Sequence, residues 1–241
     1  RIYAAGLFLA TGQVNKAEEQ IAEVKNDHRH TLALKELISA VKEPLPSTHA
    51  EPQSASHWLA RSYLLQAGGD LELALKAARN AIELSPEFGF GWGRVAELEF
   101  SFGRSDAVKE SLNLGLKLAP ENAQNLALQG FILAGENQLD KARNSFEQAI
   151  SIDGALGNAW LGRGLNRIRD NDLDEGMQDL QVAAAIEPNR SLLRSYLAKA
   201  FSDAKEFSLA ANELTLAEML DPSDPTPWFF SALLNQKINR Y

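Results

Sequence analysis

Gly89–Val95 reads GFGWGRV. Three glycines interleaved with two aromatics, then a basic residue and a valine, come close to the G-x-G-x-x-G-x-V pattern of nucleotide-binding loops. The chemistry of such a loop is phosphate recognition by backbone N–H groups. A second run of this kind, GNAWLGRG, covers Gly157–Gly164. The DHRH run ending at His30, with His49 and His57 further on, offers imidazoles for a metal. It lacks the i, i+4 spacing of a helical ligand pair, and the chain has no cysteine to support it. All four histidines, His28 included, therefore read as loop residues. RIRDNDLDEG, from Arg167 to Gly176, alternates acids as a calcium loop does but has no closing glutamate at the required distance. The acid pairs Glu97/Glu99 and Asp172/Asp174 have the composition of an acid–base dyad. They fall in helix or turn positions where solvated charge is expected. H-E-x-x-H and G-x-S-x-G are both missing from the sequence.

Which element carries each motif decides among these readings, and the elements are set by a period. Pro86, Pro120, Pro188 and Pro222 are separated by 34, 68 and 34 residues, and the vacant slot holds another helix breaker, Gly154. The four tryptophans, Trp58, Trp92, Trp160 and Trp228, share one phase of the same 34-residue clock. Three sets of small side chains keep it too: Ala81, Gly115, Ala149, Ala183 and Ala217; Ala74, Val108, Ala142, Gly176 and Ala210; Ser62, Ala96, Gly130, Gly164 and Ala198. Small residues at fixed slots let helices approach closely. Within one period, Leu71, Ala74, Leu75, Ala78 and Ile82 lie on one helical face. Each period is therefore two antiparallel helices joined by a short turn. A phosphate loop should follow a strand. GFGWGRV follows a helix ending in ELSP, so Trp92 reads as the anchor of a helix, with Val95 and Ala96 facing its partner.

On these residues the chain resembles a tetratricopeptide repeat (TPR) array, whose pattern is an aromatic opening helix A, a small residue four positions on, an alanine in helix B and a closing proline. Five repeats match, at 55–88, 89–122, 123–156, 157–190 and 191–224. Leu126 and Arg194 depart from the opening aromatic, and Gly154 from the closing proline. The resemblance implies an all-α, right-handed superhelical solenoid of antiparallel helix pairs that binds a protein or peptide segment in a concave groove. Helix-A phase implies a lining of Leu59, Tyr63, Phe90, Arg94, Glu97, Phe131, Asn158, Leu161, Leu165, Ser195, Tyr196 and Lys199, extended by Phe229, Phe230 and Leu233. TPR clamps for a chaperone's terminal carboxylate use a Lys/Asn/Arg set. Gly93 and Leu161 stand where that set needs Lys, and Phe131 and Leu165 where it needs Asn. An apolar segment of a partner fits this lining better.

The flanks are less regular. Residues 1–42 read as a degraded repeat plus one extra helix. The repeat turns at Thr11–Gly12, and its second helix carries Ala17, Ile21 and Val24; its first helix is expected to begin before Arg1. The extra helix, 31–42, carries Leu34, Leu37, Ile38 and Val41 on one face and has no evident partner. Residues 43–54, EPLPSTHAEPQS, read as a proline-rich loop. Residues 225–241 read as the first helix of a further repeat, with Asp224 as N-cap and Pro225 and Pro227 in the first turn. Its apolar WFFSALL is not a polar cap, so the array is expected to continue or to be covered, and an end-to-end homodimer is one way to cover it. The run LLRSYLAKAFSDAKEFSLAANELTLAEMLDPSDPTPWFF resembles bacterial TPR proteins of the cell envelope, some of which carry a FecR-type domain before the repeats. That implies a periplasmic or envelope location.

Bulk properties agree with an interaction module. The 241 residues are 45% hydrophobic and 23% charged, with net charge −8. That balance opposes nucleic-acid binding by counterion release, and no run of 18 apolar residues suggests a membrane span. No catalysis, cofactor or metal is expected. The alternative is a regulatory or docking part of a larger enzyme or sensor.

Overall fold

The computed structural model describes residues 1–24, 29–42 and 51–238. The expectations for His28, His49, most of the 43–54 loop and the last three residues lie outside that range. Among the described residues the regular structure is fourteen α-helices, with no strand.

Their ends are set by local signals that recur. Five helices stop at Leu84, Leu118, Ile152, Ile186 and Leu220, two residues before Pro86, Pro120, Gly154, Pro188 and Pro222. Proline has no N–H to continue the helical ladder, and it pushes the residue before it out of the helical region. The turns inside the pairs repeat as faithfully. Gly69, Gly103, Asn137, Asn171 and Lys205 all have left-handed backbone, with φ from 62° to 85°, and they too keep the repeat spacing. The chain reverses in about three residues at each, so the two helices of a pair run antiparallel.

The helices fall into two compact units, Arg1–Pro120 and Glu121–Tyr241. The first unit holds α1 (Ile2–Ala10), α2 (Val14–Ala22), α3 (Arg29–Lys42), α4 (Ala55–Ala67), α5 (Leu71–Leu84), α6 (Gly89–Ser101) and α7 (Ser105–Leu118). Here α1 pairs with α2, α4 with α5 and α6 with α7, and α5 packs on α6. The second holds α8 (Ala123–Gly135), α9 (Leu139–Ile152), α10 (Gly157–Arg169), α11 (Leu173–Ile186), α12 (Ser191–Asp203), α13 (Phe207–Leu220) and α14 (Pro225–Ile238). Here the pairs are α8/α9, α10/α11 and α12/α13, and α14 packs on both α12 and α13. Asp224 accepts from the Thr226 amide ahead of α14, as a capping residue should.

All fifteen of the phased small residues are buried, nine of them alanines at or near zero exposure. Larger side chains fill the spaces between them. Phe146 on α9 is fully buried, and its ring occupies holes left by two glycines, Gly130 on α8 and Gly162 on α10. Gly164 and Gly176 let α10 and α11 meet backbone to backbone: a Cβ on Gly164 would lie 2.8 Å from the Gly176 carbonyl.

Two expectations for the N-terminal region are corrected. Val24 lies beyond the end of α2. In α3 the buried residues are Thr31, Ala33, Glu36 and Ile38, while Val41 is exposed. The helix is not without a partner, since α3 packs against α4. Its buried face has a carboxylate in the middle, which hydrophobic periodicity could not anticipate.

Candidate functional site

Neither glycine-rich run forms a phosphate loop. Gly89–Val95 is the first half of α6. Gly89 is packed against Ala119 and Gly91 against Ile82 and Phe88. The Gly91 N–H donates to the Phe88 carbonyl at 2.9 Å. Gly157–Gly164 opens α10, and the Gly157 N–H donates to the Glu187 carboxylate at 2.8 Å. That side chain fills the position at the helix N-terminus where an anion would sit. In RIRDNDLDEG, Asp172 caps α11 by accepting from the Glu175 amide, and Asp170 pairs with Arg143. No group of three or more potential metal ligands converges among the described residues.

The tryptophan slot has a job that spacing alone did not reveal. Trp92 Nε1 donates to the Pro86 carbonyl at 2.8 Å, Trp160 Nε1 to the Gly154 carbonyl at 2.9 Å, and Trp228 Nε1 to the Pro222 carbonyl at 3.3 Å. Each is a bond from position i to i−6. Arg194, which departs from the aromatic pattern, makes the same bond: its Nε donates to the Pro188 carbonyl at 2.6 Å. In these four repeats a flat side chain with an N–H at its edge makes the bond, and a guanidinium does so as well as an indole; Leu126, in the same slot of the third repeat, is buried without one.

The first helices of the repeats, on which the expected lining lies, touch in sequence: α4 with α6 in the first unit, and α8 with α10, α10 with α12 and α12 with α14 in the second. Of the expected lining, Phe90 and Phe229 are 56% and 60% exposed. Leu59, Tyr63, Glu97, Phe131, Asn158, Leu165, Tyr196, Lys199, Phe230 and Leu233 are half-buried. Arg94, Leu161 and Ser195 are buried, and for these three the expectation of an open position is corrected. Leu161 belongs to the main core of the second unit. Ser195 turns its hydroxyl back to the Ser191 carbonyl at 2.9 Å. Phe131 and Leu165 also lean inward, Phe131 edge-on to Phe146 at 5.1 Å between centroids and Leu165 against the same core.

Arg94 shows why a charged helix-A residue can vanish from the surface. Its guanidinium donates to Ser62 Oγ at 2.9 Å, to the Ser62 carbonyl at 3.2 Å, to Gln66 Oε1 and to Glu97 Oε2 at 2.9 Å. It also lies 3.9 Å above the Tyr63 ring. Five donors in a rigid fork suit such a socket. Burial pushes the Tyr63 phenol up in pKa; Glu97 adds to this and Arg94 opposes it. The phenol is therefore neutral at physiological pH.

Three further buried acids are held by arginines. Glu99, read from sequence as solvated, is 1% exposed and paired with Arg79 and Arg104. Asp179 receives a two-pronged grip from Arg163, at 2.7 and 2.9 Å, plus Arg167 at 3.0 Å. The Asp179 hydrogen bond in turn raises the Arg163 pKa, against the effect of its partial burial. Glu36 sits between Arg61, at 2.5 and 2.7 Å, and His57 Nε2, at 3.3 Å. His57 is helical and 1% exposed, and His30 lies in α3, so neither is a loop histidine. These pairs are interhelical or turn-bracing contacts. The signal available in sequence was an acid in a slot that other repeats fill with an apolar or small residue: Glu99 stands in phase with Leu65 and Leu133, and Asp179 with Ala77, Ser111 and Ser145.

Known proteins share the features of this chain. A family model described as tetratricopeptide repeat matches residues 123–155, the third repeat. The chain is 26% identical over 183 residues, 74% of its length, to the Arabidopsis thaliana protein CTR9 homolog, and 28% identical over 146 residues, 60% of its length, to anaphase-promoting complex subunit 3 of Schizosaccharomyces pombe. It spans only 16% and 22% of those relatives. A thermophilic TPR protein from Thermus thermophilus superposes with a TM-score of 0.66 at 18% identity, over 76% of this chain and 100% of that one. The helix pairs, their period and these matches agree on a TPR fold.

Proposed function

We propose that this stack of tetratricopeptide repeats is a non-enzymatic interaction scaffold whose first helices hold a protein or peptide segment. TPR folds typically serve protein–protein interaction without catalysis. The observation that carries the reading is the exposure of large apolar side chains on those helices, above all Phe90 and Phe229. Such side chains offer apolar anchor points, the chemistry suited to an apolar segment of a partner. On the same first helices, Leu59 and Glu97 in the first unit and Asn158 and Tyr196 in the second are half-buried. The similarity to a subunit of the anaphase-promoting complex supports an assembly role in general terms. The narrower reading, a scaffold among bacterial envelope components, rests on the likeness of Leu192–Phe230 to envelope TPR proteins.

The test is affinity capture with the native chain and with Phe90→Glu and Phe229→Glu. These two positions are preferable to Phe131 and Leu165, where a charge would disrupt packing as well. We expect at least one of the two variants to retain native helicity by circular dichroism and lose a partner by more than about tenfold, the scale of an interface anchor. Full retention of every captured partner by both would overturn the reading.

A further inference from the structure

The second unit contains a recess of about 190 Å³ between α12 and α14, closed below by α13. Its walls are apolar, formed by Leu214, Phe230 and Leu233, and Lys199 and Lys237 stand on it with Ser202. Leu214 is buried and Tyr196 braces Phe230 edge-on, with centroids 5.5 Å apart, so the apolar wall is held in place before any ligand arrives.

The charge at this rim runs opposite to that of the chain. Asp203 accepts from Lys199 and, at 2.8 Å, from Lys237. Two ammonium groups thus share one carboxylate, which leaves a surplus positive charge in a chain whose net charge is −8. Lys237 has further contacts to Ser202 Oγ at 3.3 Å and the Ser202 carbonyl at 3.5 Å. Lys199 has three N–H donors, and Asp203 takes one of them. Both lysine side chains are about two-fifths exposed. Partial burial works to raise the Asp203 pKa, but the hydrogen bonds from Lys199 and Lys237 outweigh it and hold the carboxyl below its ordinary range. Asp203 therefore stays ionised and keeps the two lysines together at the rim.

We propose that this recess is a binding subsite for a peptide segment in which an aliphatic side chain is followed or preceded directly by an acidic residue. The aliphatic group enters between Leu233, Phe230 and Leu214, and the carboxylate meets Lys199 and Lys237. The inference rests on the scaffold reading above and gives it a chemical preference. An apolar hole alone would accept any leucine-bearing segment; the adjacent paired lysines discriminate, because a basic neighbour is repelled and a neutral one gains no charge-assisted bond.

The experiment uses the 15N-labelled chain and three capped hexapeptides with blocked ends: Gly-Ser-Asp-Leu-Ser-Gly, its Asn version and its Lys version. Amide shifts are followed by titration at low salt and at about 300 mM salt, where screening is strong. The acidic peptide should shift amides in Ala198–Ser202 and Leu233–Lys237, bind about fivefold or more tightly than the Asn version, and weaken with salt. The variants Lys199→Gln and Lys237→Gln, which keep most of each side chain's length but not its charge, should singly reduce and together remove that advantage, so that the acidic and Asn peptides bind alike. Equal binding of the acidic and neutral peptides overturns the proposal but spares the scaffold reading, and so does an absence of shifts at this face for all three. Failure of the scaffold reading is detected separately, by full retention of every captured partner in both the Phe90→Glu and the Phe229→Glu variants.

Discussion

Adding one methyl group at Gly162 sets two effects of known size against each other. Glycine inside a helix costs about 1 kcal/mol relative to alanine, so Gly162→Ala should stabilise α10 if the space were open. It is not open. An added Cβ would overlap the edge of the Phe146 ring, and on the far side of that ring a Cβ at Gly130 would lie 2.5 Å from the same Cε1. Phe131 stands edge-on at 5.1 Å between centroids, and Phe146 has no solvent exposure into which to move. Overpacking of this kind costs about 1–3 kcal/mol, and the ring has nowhere to go, so the upper part of that range applies. The net expectation for Gly162→Ala is a loss of about 1–2 kcal/mol. Gly6 in α1 is the internal control, since an added Cβ there meets nothing within 4 Å; Gly6→Ala should gain about 0.5–1 kcal/mol. Urea denaturation followed by circular dichroism reads both, with the midpoint as the comparison because repeat arrays need not unfold in two states. Phe146→Leu supplies the coupling test. It should cost markedly less in the Gly162→Ala background than in the native one, with an interaction energy of at least about 0.5 kcal/mol. If Gly162→Ala stabilises as Gly6→Ala does, or if the two changes are additive, the ring-in-glycine-hole account is wrong.

Three other outcomes are expected. Lys205 occupies, with φ 65°, the turn slot that glycine or asparagine fills in the other repeats, so Lys205→Gly should raise stability by about 1 kcal/mol, read as a higher denaturation midpoint. Asp179→Ala leaves Arg163 and Arg167 without their buried acceptor and should cost about 3 kcal/mol, whereas Asp172→Ala, an exposed cap, should cost about 1 kcal/mol by the same assay. Asp203 has a lowered pKa in the folded chain, so its contribution is complete above the ordinary aspartate pKa, about 4, and fades as pH falls through the lowered value. In a thermal-melt series from neutral pH down to about pH 2, Asp203→Asn should lower the melting temperature slightly at neutral pH and converge with the native chain at the acid end; the effect is small because the group is partly exposed to solvent.

Much of the architecture was legible because a repeat reports each requirement several times. The phased alanines and glycines, the breakers from Pro86 to Pro222 and the tryptophan slot fixed helix count and pairing in the five regular repeats without any long-range information. The buried acids were not legible. Glu99 and Glu97 are two residues apart on one helix and look alike in sequence; one is enclosed by Arg79 and Arg104, and the other stays half-exposed beside Arg94. Arg94, Leu161 and Ser195 were placed on the open face by phase alone, and a helix turning by about 100° per residue leaves their exposure to the girth of the neighbouring helix. Arg194 looked like a lapse in the pattern, yet it makes the same i to i−6 bond as the tryptophans, because its guanidinium carries an N–H at the right reach.

The amino-acid sequence by itself determined the local geometry: where helices stop, where the chain can turn left-handed, and which faces are narrow enough for close contact. These depend on steric and hydrogen-bonding properties carried within a few residues, and a repeating period displays them openly. Only the tertiary structure decided which charges are interior, that α3 finds its partner in α4, and that Lys199 and Lys237 converge on Asp203 beside an apolar recess. Those arrangements join residues on different helices, up to 35 positions apart in the contact of Lys237 with Ser202, and the distance and rotation of those helices emerge from side-chain volume when the pairs pack.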